Sequence, residues 1–173
     1  MDLSSYIRDI PDFPQPGIVF KDLTPLWLDP TALDFAVGAL ARYAGSRGAE
    51  LIVAAEARGF ILGAALAREL GVGFVPARKP GKLPSDTVSA EYALEYGMDA
   101  LELHSDAFAD RARVLVHDDL LATGGTSKAT VDLVEQLGGE VVGCAYVVEL
   151  SFLHGREALA GHAVHALVSY DGE

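Results

Sequence analysis

The sequence is poor in the residues on which several classes of protein depend. Its 173 residues include one cysteine, Cys144, so no disulfide can form within the chain, and this thiol is expected to fill space in the core. The longest apolar runs, such as residues 141–148, fall far short of the roughly 20 residues that span a membrane. The start, MDLSSYIRDI, has neither a basic segment nor an apolar stretch, so we expect no secretory signal and a cytoplasmic location.

Positive charge is also scarce, because 13 Lys and Arg residues stand against 25 Asp and Glu, for a net charge of −12. Binding to a nucleic-acid backbone needs clustered basic side chains, so nucleic acid is not an expected partner. A small anionic substrate is compatible with this charge, since Arg78, Lys79 and Lys82 lie close together in the sequence.

Strand and helix patterns alternate along a chain (residues 1–173) whose length fits a single domain. Prolines between Pro11 and Pro30 forbid a continuous helix there, and Asp29-Pro30 then begins a helix that extends to about Tyr43. Further strands are predicted at 51–55, 73–77, 114–116 and 140–148, a strand pair at 91–104 around Tyr96-Gly97, helices at 59–70 and 126–137, and a long polar loop at 78–90. This order predicts an α/β fold with a mainly parallel twisted sheet flanked by helices on both faces.

The strongest motif is DDLLATGGT, from Asp118 to Thr126. An apolar strand leads into two adjacent carboxylates, and a Thr-Gly-Gly-Thr turn then opens a helix. Glycines let the backbone approach a phosphate, and the free N–H groups at a helix start favour an anion. The carboxylates need a partner other than phosphate, and ribose hydroxyls are suitable donors. The motif lacks the spacing and lysine of a nucleoside-triphosphate P-loop, and an ordinary glycine-rich turn is the remaining alternative.

Here the sequence resembles a known family. VLVHDDLLATGGT is similar to the signature of the type I phosphoribosyltransferases, which join a base to phosphoribosyl pyrophosphate. The segments PDFPQPGIVFKDLTPL, AAEARGFILGAALA, RKPGKLP, EYALEYG and VELSFLHGRE look like the adenine branch of that family, and the resemblance runs from Ile7 to about Leu159. It implies the type I fold with an N-terminal base-binding hood (1–28) and a mobile lid (78–90). His117 and Pro80 depart from the family pattern.

The resemblance assigns residues to the phosphorylated substrate. It implies that Asp118 and Asp119 bind the ribose hydroxyls. Five residues are implied to hold the 5-phosphate: Ala122, Thr123, Gly124, Gly125 and Thr126. Six are implied to bind pyrophosphate: Glu56, Ala57, Arg58, Arg78, Lys79 and Lys82. The position of Arg58 also favours pyrophosphate binding, since a cation at the start of a helix is disfavoured unless an anion lies beside it. For Lys82 a solvated charge run is an equal alternative.

The resemblance also implies a site for the base. A backbone N–H at Val19 and a backbone carbonyl at Lys21 would read the edge of adenine, Phe20 would stack on its ring, and Leu150, after Glu149, would close the far side. Without the resemblance, Phe20 would more often be a core residue. A backbone N–H beside a backbone carbonyl complements the edge of adenine, which offers an acceptor nitrogen beside a donating amino group.

Glu95, with Tyr96 beside it, is the candidate catalytic carboxylate. A nearby carboxylate stabilises the positive charge that develops at the anomeric carbon during glycosyl transfer. A glutamate of raised pKa could instead protonate or orient a ring nitrogen of the base. A solvent-facing residue at a strand turn is the structural alternative.

The implied activity converts adenine and phosphoribosyl pyrophosphate into AMP and pyrophosphate. It implies Mg²⁺ held mainly through substrate and water, and a homodimer. The histidines at 104, 117, 154, 162 and 165 lack metal-ligand spacing, so none is expected to bind metal. Two alternatives stay open, an enzyme for hypoxanthine, guanine or xanthine, and a noncatalytic regulator that senses metabolites.

Overall fold

A computed structural model describes residues 1–93, 98–109 and 111–172. In chain order its strands are β1 (Arg8–Ile10), β2 (Phe20–Asp22), β3 (Leu51–Ala55), β4 (Gly73–Ala77), β5 (Thr87–Ala93), β6 (Met98–His104), β7 (Arg113–His117), β8 (Leu120–Leu121), β9 (Glu140–Leu150) and β10 (Val164–Tyr170). The helices are α1 (Thr24–Leu28), α2 (Pro30–Ser46), α3 (Gly59–Leu70), α4 (Gly125–Gln136) and α5 (Gly155–Ala158). Short 3-10 helices occupy Leu3–Tyr6 and Ser151–Leu153.

A parallel sheet in the order β10-β9-β7-β3-β4 forms the centre, with β8 paired beside the end of β9. Its strands are apolar on both sides because helices cover both faces. Successive residues of β3 show this, since Ile52 belongs to one hydrophobic cluster and Val53 to the other. The prediction of a mainly parallel sheet flanked by helices is confirmed.

Each face of the sheet carries a different accessory element. On one face α2 and α3 pack together with the hood, whose Leu3, Leu23 and Leu26 are buried in the same cluster. On the other face α4 packs together with the β5–β6 hairpin, which we term the lid hairpin and which buries Leu101 and Leu103. Within the described residues no helix is long and apolar enough to cross a membrane.

Several predicted elements have the expected positions. Asp29 caps α2 by accepting hydrogen bonds from the N–H groups of Thr31 and Ala32, and this helix continues past Tyr43 to Ser46. Strands β3 and β4 and helix α3 have the predicted bounds. Helix α4 is displaced by one residue from the predicted 126–137.

The predicted loop at 78–90 is wrong for its last part, because β5 begins at Thr87. Val88 and Ala90 alternate with more polar neighbours and pack on the cluster beneath the lid hairpin. This period of two is the strand signal that the surrounding polar residues concealed. The predicted turn at Tyr96-Gly97 lies outside the described residues.

Candidate active site

A cleft of about 290 Å³ opens at the carboxyl ends of β3, β7 and β8. Parallel strands bring their ends to one edge of the sheet, which is where ligands bind in such folds. The lining consists of Glu56, Ala57, Arg58, Lys79, Tyr92, Asp118, Asp119, Leu120, Leu121, Ala122, Thr123, Gly124, Gly125, Thr126 and Ser127. The structure therefore brings together every residue predicted for ribose and 5-phosphate, and four of the six predicted for pyrophosphate.

The phosphate turn, Ala122–Thr126, joins β8 to α4. Gly124 has a φ of +87°, a left-handed conformation that residues with a side chain rarely adopt. Helix α4 begins at Gly125, and no side chain caps its N-terminus. Its first N–H groups are thus presented to the cleft, an arrangement suited to an anion such as phosphate.

Asp118 and Asp119 follow β7 and form a close carboxylate pair. Asp119 is 2% exposed, and its backbone N–H donates to Asp118 Oδ1 at 2.8 Å. Burial, and secondarily the charge of Asp119, raises the pKa of Asp118 well above its usual value. Burial also raises the pKa of Asp119, although the Arg58 guanidinium opposes this. The pair thus lacks enough donors for its charge, which hydroxyl groups of a ligand would supply.

Arg58 lies between the carboxylate pair and the hood. Its Nε is 2.9 Å from Asp119 Oδ2, and its guanidinium lies 5.0 Å from the centre of the Phe20 ring. Arg58 precedes the first residue of α3, so the helix dipole disfavours its charge, as the sequence argument held. Asp119 supplies the compensating anion from within the chain, so the dipole alone does not require a bound phosphate.

Glu56 organises the basic residues of the predicted pyrophosphate site. Its Oε1 accepts from Arg78 Nη2 at 3.1 Å, and its Oε2 accepts from the Lys79 N–H at 2.8 Å. These bonds, that of Arg78 first, lower the pKa of Glu56. Arg78 and Lys82 are not among the cleft-lining residues, and Arg78 also donates to the Lys82 carbonyl at 3.2 Å. Glu56 therefore holds the start of the predicted lid (residues 78–90, here termed the lid segment) near the cleft.

Tyr92 and Asp99 were not predicted as site residues. Asp99 accepts from Lys79 Nζ at 3.0 Å and from the Tyr92 hydroxyl at 3.3 Å, and Tyr92 lines the cleft together with Thr126 of the phosphate turn. Tyr92 faces Asp99 in the hairpin register. A hairpin centred on Tyr96-Gly97 would have paired Tyr92 with Leu101 instead, so sequence could not place this contact.

The predicted base-binding residues lie beside the cleft rather than in its lining. Phe20 contacts Arg58, and the ring of Phe13 packs edge-on against the ring of Phe20 with the ring centres 5.2 Å apart. The Lys21 side chain is 4% exposed, with Nζ 2.8 Å from Asp9 and 4.3 Å from the centre of the Tyr170 ring. Leu150, at the end of β9, packs at the edge of the hood-side cluster.

Other candidate residues fall elsewhere. Val19 precedes β2 in the hood. Glu95 and Tyr96 lie outside the described residues. In the described part of the chain no three His, Cys, Asp or Glu side chains form a group that could hold a metal ion.

Comparison with known proteins decides the family. A model of the phosphoribosyl transferase domain matches residues 38–163. The chain belongs to the phosphoribosyltransferase family. The matched residues extend from the middle of α2 to the residue before β10, and include the carboxylate pair and the phosphate turn but not the hood.

Individual phosphoribosyltransferases resemble the chain over nearly its whole length, hood included. The adenine phosphoribosyltransferase of Gloeobacter violaceus is 56% identical over 171 residues, 98% of this chain and 100% of that protein. The crystal structure of the Thermoanaerobacter pseudethanolicus enzyme of that name has a TM-score of 0.94 at 52% identity, covering 97% of this chain and 98% of the other. The Saccharomyces cerevisiae enzyme, complexed with an imino-altritol bisphosphate and adenine, gives a TM-score of 0.91 at 37% identity, covering 95% and 96%.

Proposed function

We propose that this phosphoribosyltransferase converts adenine and phosphoribosyl pyrophosphate into AMP and pyrophosphate. The observation that carries the proposal is one cleft in which an open helix N-terminus, a carboxylate pair and basic side chains lie beside an aromatic hood residue. The helix N-terminus suits the 5-phosphate, the carboxylate pair suits the ribose hydroxyls, the basic side chains suit the pyrophosphate, and the aromatic residue suits the base. The relatives that share the hood are named for the adenine reaction.

The chain's residues bind and orient the sugar phosphate. The phosphate turn would receive the 5-phosphate on its backbone N–H groups and on the hydroxyls of Thr123 and Thr126. Asp118 and Asp119 would accept hydrogen bonds from the 2- and 3-hydroxyls. Fixing the ribose at both points holds the anomeric carbon in place between base and leaving group, which lowers the entropic part of the barrier.

Pyrophosphate binding requires a change of partner for Arg58. Its guanidinium neutralises Asp119 in this structure, and the diphosphate offers it a stronger anion. Lys79, held by Asp99, lines the same part of the cleft. We place Arg78 and Lys82 on the lid segment, where they would reach the leaving group only after that segment moves.

Mg²⁺ is proposed as the cofactor. The carboxylate oxygens of Asp118 and Asp119 are ligands of the type that Mg²⁺ prefers, but Arg58 already engages Asp119. The donor set therefore fits a metal held mainly by substrate oxygens and water, with these carboxylates nearby. When bound, Mg²⁺ would neutralise charge on the departing pyrophosphate.

The base would enter beside Phe20, where the backbone groups of Val19 and Lys21 read its edge and Leu150 borders the far side. Glu95, with Tyr96, is proposed as the carboxylate that stabilises charge at the anomeric carbon. Hypoxanthine exchanges the donor and acceptor of the adenine edge, so both backbone groups would be left unpaired, which penalises the wrong base strongly.

A cytoplasmic homodimer is proposed as the working form. This part of the proposal rests on the resemblance to the adenine branch of the family, which implies a homodimer. Light scattering at micromolar concentration should report a dimer, and a fully active monomer would contradict this part of the proposal.

The function is tested by incubating the purified protein with phosphoribosyl pyrophosphate, Mg²⁺ and each purine in turn. We expect kcat/KM for adenine to exceed that for hypoxanthine or guanine by roughly two to three orders of magnitude. Comparable rates with hypoxanthine would leave only the family assignment. Binding of phosphoribosyl pyrophosphate without turnover of any purine would favour a regulator.

A further inference from the structure

The segment after β9 packs directly against the back of the phosphate turn. A Cβ atom at Gly155 would lie 2.2 Å from the Ala122 carbonyl oxygen, and one at Gly124 would lie 2.5 Å from the Gly155 carbonyl oxygen. Real Cβ atoms do not approach so closely, so the two backbones touch with no side chain between them. The position of the Gly155–Ala158 helix therefore limits where the phosphate turn can lie.

Arg156, in this short helix, ties the segment to the end of β9. Its Nε and Nη2 donate to the two carboxylate oxygens of Glu149, each at 2.6 Å, and its Nη1 donates to the Val164 carbonyl at 3.0 Å. Glu149 is 5% exposed. Such two-point pairing fixes orientation as well as distance.

Glu149 also lies beside the strand that leads into the phosphate turn. It pairs in register with Leu121 of β8, the residue that immediately precedes Ala122. The Glu149–Arg156 pair thus joins the strand that enters the turn to the helix that packs behind it. Neither side chain belongs to the lining of the cleft as the structure describes it.

We propose that Glu149 and Arg156 are positioning residues for 5-phosphate binding, a role that rests on the proposed function. The pair holds the Gly155–Ala158 helix against the phosphate turn and so fixes the N–H groups that receive the phosphate. Small displacements of such groups are costly, since a misplacement of about 1 Å can lower rates on the order of a hundredfold.

The test compares ligands with and without the phosphate. Titrations of ribose 5-phosphate, AMP and adenosine are carried out on the wild type, Glu149→Gln and Arg156→Lys. We expect Glu149→Gln to weaken both phosphorylated ligands about tenfold and Arg156→Lys to weaken them less, because lysine keeps the charge without the two-point geometry. Adenosine affinity should not change.

Glu140→Gln is the matched control. It makes the same change at the other end of β9, where Glu140 is 61% exposed and lies 3.7 Å from Arg113, and it should bind all three ligands as the wild type does. Unchanged affinity for ribose 5-phosphate in both pair variants would overturn the inference, as would an equal loss for adenosine. If Glu149→Gln does not fold, the half-exposed Arg156→Lys decides the question. A wild type that binds ribose 5-phosphate but not AMP would instead count against the proposed function.

Discussion

Arg58 and Asp119 form an ion pair of 2.9 Å that joins the predicted pyrophosphate site to the predicted ribose site. The dipole of α3 disfavours the positive charge of Arg58, and burial disfavours the negative charge of Asp119. Each charge stabilises the other, so the pair offsets both unfavourable effects. Any substrate that engages one of them must therefore also satisfy the other.

Arg58→Gln should lower kcat/KM for phosphoribosyl pyrophosphate by about ten- to a hundredfold, the usual range for a lost charged hydrogen bond. Removing the guanidinium also removes the influence that lowers the pKa of Asp119, so the acid limb of the pH profile should move to higher pH. Steady-state kinetics across pH measure both effects. Arg68→Gln, an exposed arginine in the last turn of the same helix, should leave both unchanged.

The carboxylate pair should serve activity at the expense of stability. Asp118→Asn with Asp119→Asn should cripple turnover while the fold survives, since each lost charged hydrogen bond removes on the order of 1.5–3 kcal/mol. Near-normal kcat/KM in this double variant would refute the ribose assignment.

The single variant Asp118→Asn isolates the effect on stability. An acid with a raised folded pKa favours the folded state at low pH, and this advantage is lost as pH rises from its unfolded pKa to its folded pKa. The Tm of Asp118→Asn should therefore exceed that of the ligand-free wild type at neutral pH, and the difference should shrink toward pH 4. A lower Tm at pH 7 would contradict this.

His117 should make the fold sensitive to mild acid. It is fully buried, with Nδ1 2.8 Å from the Ala145 carbonyl oxygen, and burial lowers its pKa to about 4. Below pH 6.5 the unfolded chain takes up a proton that the folded chain does not, so the free energy of unfolding falls by about 3 kcal/mol as pH approaches 4. Denaturant unfolding measures the free energy of unfolding of both proteins at pH 7 and pH 4.5. Between these two pH values His117→Leu should lose less of this free energy than the wild type does, by most of the roughly 3 kcal/mol. Parallel losses in the two proteins would exclude the effect.

Much of the site could be predicted because its signals are local. The run from Val114 to Thr126 contains a strand, two carboxylates and a glycine turn in one uninterrupted stretch. The partners of Glu56 could not be found in this way, since Arg78 and Lys79 follow it by more than twenty residues and meet it only when β3 and β4 pair. The edge strand β10 and the three-residue strands of the hood were not predicted, because short or weakly apolar segments carry little periodic signal.

Lys21→Ala should lower Tm and raise KM for adenine while the preference for adenine over hypoxanthine is kept. The side chain is buried against Asp9 and Tyr170, so its loss loosens the hood, whereas the proposed base contacts are backbone groups. Arg8→Ala provides the comparison, because it breaks an ion pair in the same hairpin whose arginine is 60% exposed and should have little effect. A change of base preference in Lys21→Ala would argue for readout by the side chain.

Glu95→Gln should lower kcat by roughly 10²–10⁴ with little change in the affinity for phosphoribosyl pyrophosphate, because the proposed role is confined to the transition state. Glu91→Gln, an exposed residue of β5, serves as the control. An unchanged kcat would identify Glu95 as a surface residue.

The hood and the lid hairpin are rooted in separate hydrophobic clusters on opposite faces of one sheet. Under the proposed function, the residues of the hood that read the base would therefore pack separately from the lid hairpin. Replacing residues 1–28 by the corresponding segment of an enzyme for another base should leave the packing beneath the lid hairpin intact, because no buried residue of the hood belongs to that cluster. If the hood reads the base as proposed, a lineage or a protein engineer could in this way exchange the nucleobase while keeping the residues that bind the sugar phosphate.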